Sequence, residues 1–134
     1  MKKGSESAIT SRRKASLMMA LAGHVGAHNA IGMGELFEEV FGAEWSHRIN
    51  HTRQIRRLVT KLRRDGAPIC SVSAQDGGGY YLAAAGSELE DFLRRDTMRA
   101  LRILDRNAKI KKITLPEYLG QMKLRMEASH EGDS

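Results

Sequence analysis

Residues 50–66 read NHTRQIRRLVTKLRRDG, and this stretch decides the fold. Four of its apolar residues recur at helical spacing and therefore share one face: Ile55, Leu58, Val59 and Leu62. At roughly 100° per residue, four others point the opposite way, within a sector of roughly 60°: Arg53, Arg57, Thr60 and Arg64. The pattern predicts one amphipathic helix, with Asn50 as its N-cap and Gly66 at its end.

The positive charge of the chain points to the same helix. The formal net charge is +6, and residues 48–65 contain seven Arg or Lys residues and one Asp. The remaining basic and acidic residues balance, with 15 of each. A clustered basic face is expected of a protein that binds nucleic acid. An exposed arginine-rich helix can also be no more than a solvated surface.

Length and composition indicate one compact domain with a small appendage. The chain has 134 residues, of which 41% are hydrophobic and 28% are charged, as in globular proteins. The apolar run at residues 17–22 is too short to span a bilayer, and no convincing signal-peptide cleavage site follows it. Cys70 is the single cysteine, so no internal disulfide can form. We therefore expect a cytoplasmic protein.

Two shorter helices are predicted before the basic helix. The first begins at about Ser11, and the second covers residues 35–41 and ends at Gly42. The second helix and its connection carry four glutamates, whose face we place away from any polyanion: Glu35, Glu38, Glu39 and Glu44. Trp45, in the connection, can anchor the turn against the core or stack on a base, and we expect the first.

A β-hairpin is predicted directly after the basic helix. Residues 69–72 and 80–82 contain strand formers, and the DGGG sequence at residues 76–79 separates them. Glycine reaches the positive φ angles that a tight hairpin turn demands. These glycines do not match the spacing of a phosphate-binding loop, and they lead into a strand instead of a helix.

A helix, a short helix, a turn, a basic helix and a hairpin follow one another as in a winged helix-turn-helix. Residues 55–69 read IRRLVTKLRRDGAPI, and residues 78–82 read GGYYL. These segments resemble the winged DNA-binding domain of biotin-repressor-like and WYL-type regulators. In that family the recognition helix ends in Leu-Arg-x-x-Gly-x-Pro-Ile, and the second wing strand opens with Gly-Tyr-x-Leu. The likeness covers roughly residues 15–84.

Two features depart from that family. The connection at residues 42–50 is longer than the usual tight turn. No large effector-binding domain is expected after the hairpin, so ligand sensing is not carried over. The whole chain is more similar to the small, stand-alone winged-helix proteins of bacteriophages and prophages.

Two more helices are predicted after the hairpin. Ser87 and Glu90 match a capping box at the start of the first helix, which runs to about Lys111, and the second begins at Thr114 or Leu115. Their apolar stripe can pack on the winged domain or pair with a second copy of the chain, and we expect a homodimer.

The predicted fold is mainly α with a small β-hairpin, in the α+β class. It divides into a flexible tail, a winged helix-turn-helix domain, a C-terminal helical extension and a disordered tail: residues 1–10, 11–85, 86–128 and 129–134.

Patterns typical of enzymes and metal sites are weak. His24 and His28, like His47 and His51, are spaced as zinc ligands on a helix can be, but no cysteine cluster or third ligand accompanies either pair. His47 and His51 can instead contact phosphate. Cys70 has no base placed beside it by sequence. We therefore expect no enzymatic activity, no metal and no cofactor.

The sequence predicts a sequence-selective protein that binds double-stranded DNA, a transcriptional regulator of phage or prophage type. The N-terminal half of a recognition helix reaches deepest into the major groove, so three residues are expected at base edges: Arg53, Gln54 and Arg57. Five more are expected at phosphates: Arg56, Thr60, Lys61, Arg63 and Arg64. The wing would place four residues near the backbone or minor groove: Asp76, Gly77, Gly78 and Gly79.

The alternative is an adaptor that binds other proteins in a replication or assembly complex. Winged-helix domains also serve in that way, and fold does not fix function. The acidic second helix and a wing without Lys or Arg favour the adaptor. The basic helix favours DNA.

Overall fold

The computed structural model describes residues 6–73 and 78–132, except for the side chains of residues 130–132. The chain forms two compact units, Met1–Glu90 and Asp91–Ser134. It is mainly helical, with a small three-stranded antiparallel sheet, so the α+β prediction is confirmed. Among the described residues, no helix combines the length and the apolar character that a membrane span requires.

In its described residues, the first unit contains three helices, a 3-10 turn and three strands. In chain order these are α1 (Ala8–Ala22), the 3-10 turn (Ala27–Asn29), β1 (Ile31–Gly32), α2 (Met33–Phe41), α3 (Arg48–Arg64), β2 (Ile69–Val72) and β3 (Gly79–Leu82). The next helix, α4 (Gly86–Lys111), begins in this unit and continues into the second, where α5 (Leu115–Gly132) follows.

The sheet has the order β1-β3-β2, and both pairings are antiparallel. In one pairing Ile31 of β1 lies opposite Tyr80, and in the other Val72 of β2 lies opposite Gly79. A Cβ atom added to Gly79 would lie only 2.2 Å from the Ile31 carbonyl oxygen. Gly79 therefore allows β1 and β3 to approach closely, a role distinct from the turn that the glycine run predicted.

The core of the first unit lies between the three helices and the sheet. The predicted inward face of α3 is buried in full: Ile55, Leu58, Val59 and Leu62. Leu17 and Leu21 of α1 and Leu36 of α2 are completely buried in the same cluster. Lys14 of α1 also forms ion pairs with Asp65, at 2.6 Å, and with Glu6, at 2.9 Å. Packing and charge thus both connect α1 to the end of α3.

The end of α3 is as the sequence predicts, but its beginning is not. Gly66, with φ of +98°, donates its N–H to the Arg63 carbonyl, and the Ala67 N–H reaches the Leu62 carbonyl at 2.9 Å. These two bonds form a Schellman motif. The helix starts at Arg48 with His47 as N-cap, so the prediction of Asn50 as N-cap is wrong. The cause is that no side chain caps this end.

Other helix boundaries also differ from the predicted ones. The first helix begins at Ala8, capped by Ser7, and therefore extends into the predicted tail at residues 1–10. The last helix continues to Gly132, into the segment at residues 129–134 where disorder was expected. The start of α4 has no Ser87 capping box, because Glu88 instead accepts the Ala84 N–H at 2.7 Å.

The second unit contains most of α4, a turn and α5. Lys112 takes a left-handed conformation, and the Ile113 N–H donates to the Ala108 carbonyl at 3.0 Å. Thr114 and Glu117 then form a reciprocal capping box that starts α5. Side-chain hydrogen bonds between α4 and α5 lie close to this turn and join Asn107 to Tyr118 and Lys111 to Gln121.

Candidate nucleic-acid interface

The outer face of α3 forms one open surface, which we call the α3 basic face. It brings together six of the eight predicted helix contacts: Arg53, Arg56, Arg57, Thr60, Lys61 and Arg64. All six are exposed, because the opposite side of the helix is buried in the core. Within the described part of the chain, Arg53, Arg57, Lys61 and Arg64 make no ion pair and no side-chain hydrogen bond. Their charges are therefore available to an external anion.

Arg63 is the predicted phosphate contact that the structure uses elsewhere. Its Nε atom donates to the Ile69 carbonyl of β2 at 2.9 Å, and its guanidinium lies over the Tyr80 ring, 5.7 Å from the centroid. Arg63 is half-buried and joins α3 to the sheet. We therefore leave it out of the α3 basic face.

Arg56 lies between α3 and the hairpin. It belongs to the α3 basic face, and it also lines a smaller cleft with Ser71, Ser73 and Gly78. Its positive charge lies near the Tyr80 hydroxyl. Burial raises the pKa of that hydroxyl, although the positive charges of Arg63 and Arg56 act against the shift. Arg56 can therefore hold an anion at the junction of helix and hairpin.

Gln54 is exposed on the flank of α3 and does not line the α3 basic face. Of the predicted wing, Asp76 and Gly77 lie outside the described residues. Gly78 and Gly79 both border the cleft beside Arg56, and Gly79 is also buried against β1. Gly79 therefore has a structural role in the sheet.

The connection before α3 is held by aromatic contacts. The Trp45 ring packs edge-on against Phe37, and the backbone N–H of Trp45 donates to a Glu38 carboxylate oxygen at 3.1 Å. This confirms the expectation that Trp45 anchors the turn. His51 stacks on Phe37 with ring centroids 3.9 Å apart. The imidazole of His51 therefore serves the fold, whereas the alternative of a phosphate contact remains open for the exposed His47.

Sequence reasoning missed three residues of the α3 basic face: Arg48, Ile49 and Thr52. Arg48 and Ile49 were missed because the N-cap of α3 was placed three residues too late, whereas Thr52 lay inside the predicted helix and was given no contact. Ile49 is 75% exposed although it is isoleucine, and it stands among the arginines of the first turns. The sequence offered one signal for Ile49: it is apolar but does not share the buried face of Ile55 and Leu58. Apolar side chains in this position can contact the methyl group of thymine.

Among the residues that the structure describes, one group of side chains has the spacing to hold a metal ion. His24, Glu35 and Glu39 offer ligand atoms that all lie within 4.8 Å of one another. The Nδ1 atom of His24 is already 2.7 Å from the Asn29 carbonyl, and both glutamates are exposed. Neither predicted histidine pair belongs to this group in full. Exposed carboxylates often lie this close without a metal, so we assign no metal site.

No family model matches the chain, and no curated protein or solved structure shows a significant match to it. The interpretation of the site therefore depends on the geometry and charge described above. What the arrangement offers is a row of cations on one helix face. A clustered row of positive charge attracts anions.

Proposed function

We propose that this chain is a winged helix-turn-helix protein that binds double-stranded DNA sequence-selectively and regulates transcription, in the manner of small phage and prophage regulators. The winged-helix assignment is supported by the element order α1-β1-α2-α3-β2-β3 and the sheet order β1-β3-β2. The likeness of residues 55–69 and 78–82 to known winged domains supports it as well.

The observation that carries the proposal is the α3 basic face. From Arg48 to Arg64 the helix is about 24 Å long, at a rise of about 1.5 Å per residue. Its inner side is buried, and its outer side presents arginines that no acidic side chain in the described residues neutralises. The major groove of B-DNA is wide enough to admit one α-helix. A basic helix fixed on a core in this way suits that groove.

Each residue on the helix has an expected role. Arg53, in the N-terminal half of α3, and Arg57, just past its middle, bond to base edges, where Arg reads guanine bidentately. Arg56, Thr60, Lys61 and Arg64 bond to phosphates and fix the register. Gln54, on the flank, remains a candidate for adenine only if the helix is rotated in the groove.

We also propose that the protein acts as a homodimer through its C-terminal helices. Large apolar side chains are exposed along α4 and α5, including Leu93, Leu101 and Leu124. Within the second unit, by contrast, only Phe92 and Ala108 are buried among the described residues. Two helices with so small a core gain stability when a second copy covers their apolar side. A two-fold dimer binds a palindromic site.

The experiment is a random-site selection with the purified chain, followed by titration of the preferred duplex at several salt concentrations. With about four to six phosphate contacts, log affinity should fall linearly with log salt, with a slope on the order of −4 to −5. A chain that selects no sequence and binds duplexes without salt dependence is not a DNA-binding protein of this kind.

A protein-interaction adaptor is the second candidate, and α2 is the observation that favours it. Glu35, Glu38 and Glu39 are exposed on this helix, and they offer a surface of opposite charge to α3. An adaptor would use α2 or α3 to bind a protein partner. The salt titration separates the two functions, because an adaptor need not bind DNA at all.

A further inference from the structure

A second basic surface lies on α4, and the overall charge balance conceals it. Residues 94–112 contain eight Arg or Lys residues and two Asp, an excess equal to that of residues 48–65. Acidic residues elsewhere in the chain cancel this excess in the total. The excess positive charge therefore lies on two segments of the chain.

The positive charges on α4 are ordered along one line. At roughly 100° per residue, five of them fall within a sector of about 80°: Arg95, Arg99, Arg102, Arg106 and Lys109. We call these five residues the α4 basic stripe. All five are exposed, and the stripe is about 21 Å long at the rise of an α-helix. No acidic residue lies within that sector between its ends.

Most of the charge on this stripe is free. Arg99 pairs with Asp96 at 3.1 Å and Lys109 pairs with Asp105 at 3.0 Å, but these are exposed pairs of the kind that contributes little energy. Arg95, Arg102 and Arg106 form no ion pair with any described residue. Arg102 follows Arg95 by seven residues, and Arg106 follows Arg102 by four. At these helical spacings the three unneutralised guanidinium groups point in one direction.

The stripe lies opposite the apolar side of α4. Leu104 is half-buried and Ala108 is buried, and both fall about 180° from the centre of the stripe, within roughly 40°. A helix that lies in a bilayer surface buries its apolar side and keeps its cations near the headgroups. Here that orientation would direct Arg95, Arg102 and Arg106 into water, away from the lipid. As in α3, the arginine side lies opposite the more buried side of the helix.

We infer that the α4 basic stripe binds the phosphate backbone of duplex DNA, as a second, sequence-independent contact surface in addition to α3. The inference takes the identity of the polyanion from the proposed function. Arg95, Arg102 and Arg106 bond to phosphate oxygens, and Arg99 and Lys109 contribute once DNA competes for them. Because the contacts are to the backbone, they increase affinity for every sequence equally.

The test uses the full chain with Arg95, Arg102 and Arg106 all replaced by glutamine. A matched control removes three charges from the same unit outside the stripe: Arg94→Gln, Lys123→Gln and Arg125→Gln. Each protein is titrated with the preferred duplex and with a scrambled duplex over a range of salt. The stripe variant should bind both duplexes more weakly by the same factor, with a salt slope shallower by about 2 to 3. The control should bind like the parent.

Three further measurements make the result decisive. Lysine in place of the three stripe arginines should restore most of the slope, since a phosphate contact needs the charge more than the guanidinium. Circular dichroism should show unchanged helix content, because the side chains are exposed. An Arg53→Gln/Arg57→Gln variant, on α3, should lose preference for the selected duplex and keep the contribution of the stripe.

A stripe variant with the affinity and slope of the parent overturns the inference, and the proposed function still stands if the α3 variant loses specificity. Equal losses in the stripe variant and its control also overturn it, because they reflect net charge alone. If only the stripe variant loses DNA binding, the inference holds and the proposed role of α3 fails. If the stripe variant binds DNA like the parent but no longer binds vesicles of phosphatidylserine and phosphatidylcholine, the stripe contacts a membrane surface instead and the inference fails.

Discussion

The imidazole of His51 lies parallel to the ring of Phe37, with centroids 3.9 Å apart and planes inclined by 11°. The first residue belongs to the second turn of α3 and the second to α2. His51 Nδ1 also faces the N–H groups of Ser46 and His47, each at 3.4 Å. One side chain therefore stabilises the start of a helix that has no capping side chain, and it fixes the direction in which the basic face begins.

His51→Ala should destabilise the protein by about 0.5–1.5 kcal/mol, the usual worth of an aromatic pair. His47→Ala is the matched control, because His47 is exposed at the N-cap, and it should change stability by less than about 0.5 kcal/mol. Urea unfolding of both variants measures the difference. Equal effects would show that the stacking contact contributes nothing specific.

Arg57 and Arg64 should separate base reading from phosphate binding. Both side chains lie on the α3 basic face, and Arg57 is nearer the N-terminal half. Arg57→Ala should cost about 1–3 kcal/mol at the preferred duplex and less at a scrambled one. Arg64→Ala should weaken binding to both duplexes equally and reduce the salt slope by about 1. Leu58→Ala, as a folding control, should destabilise by about 2–5 kcal/mol. Parental binding by both arginine variants would exclude α3 as the DNA-contacting helix.

The proposed dimer should depend on the apolar side chains of the C-terminal helices. Leu124 is 69% exposed on α5, and Leu124→Glu should shift the full chain toward monomer in light scattering, because a buried unpaired carboxylate opposes association. Met19→Glu is the matched control, since Met19 of α1 is 78% exposed and has no part in the proposed contact. A parent that is monomeric at high concentration removes the dimer and the expectation of a palindromic site.

Tyr80 should make the fold sensitive to alkali. Burial raises the pKa of its hydroxyl in the folded protein, so folding favours the neutral form. The corresponding stability is present below the unfolded pKa of about 10 and is lost as pH rises through the folded pKa. The pKa of Lys14 is also raised, chiefly by its hydrogen bond to Asp65, and that contribution is lost in the same direction. Tyr80→Phe should therefore lose less stability than the parent between about pH 9 and 11 in urea titrations. An identical decline would assign the whole effect to other groups.

The helices and the hairpin could be predicted because their signals are local. The buried face of α3 can be predicted from the spacing of its apolar residues: Ile55, Leu58, Val59 and Leu62. The end of α3 can be predicted from Gly66. The start of α3 could not be found in the same way, because His51 and Phe37 meet only after α2 and α3 pack. The pairing of β1 with β3 likewise depends on residues almost fifty positions apart, Ile31 and Tyr80.

The helix face that the candidate residues share was predicted correctly, because it depends on helical spacing alone. Arg53, Arg57 and Arg64 lie together on the outer face, as the wheel indicates. Arg63 was predicted to contact phosphate, but its side chain donates to the Ile69 carbonyl of β2. A helical wheel shows only α3, so it could not show this contact with the strand. The α4 basic stripe was overlooked for a different reason. The net charge of the whole chain equals the excess on residues 48–65, because acidic residues elsewhere offset the excess on α4.

The close approach of β1 and β3 limits which amino acids position 79 can accept. Even an alanine there would force the Ile31 carbonyl to move, since the added carbon would lie 2.2 Å from it, and the first strand would separate from the sheet. Gly86 and Gly120 have no atom within 4 Å of an added Cβ and can take alanine. In a library of random variants selected for folding, position 79 should stay glycine, whereas positions 86 and 120 should drift.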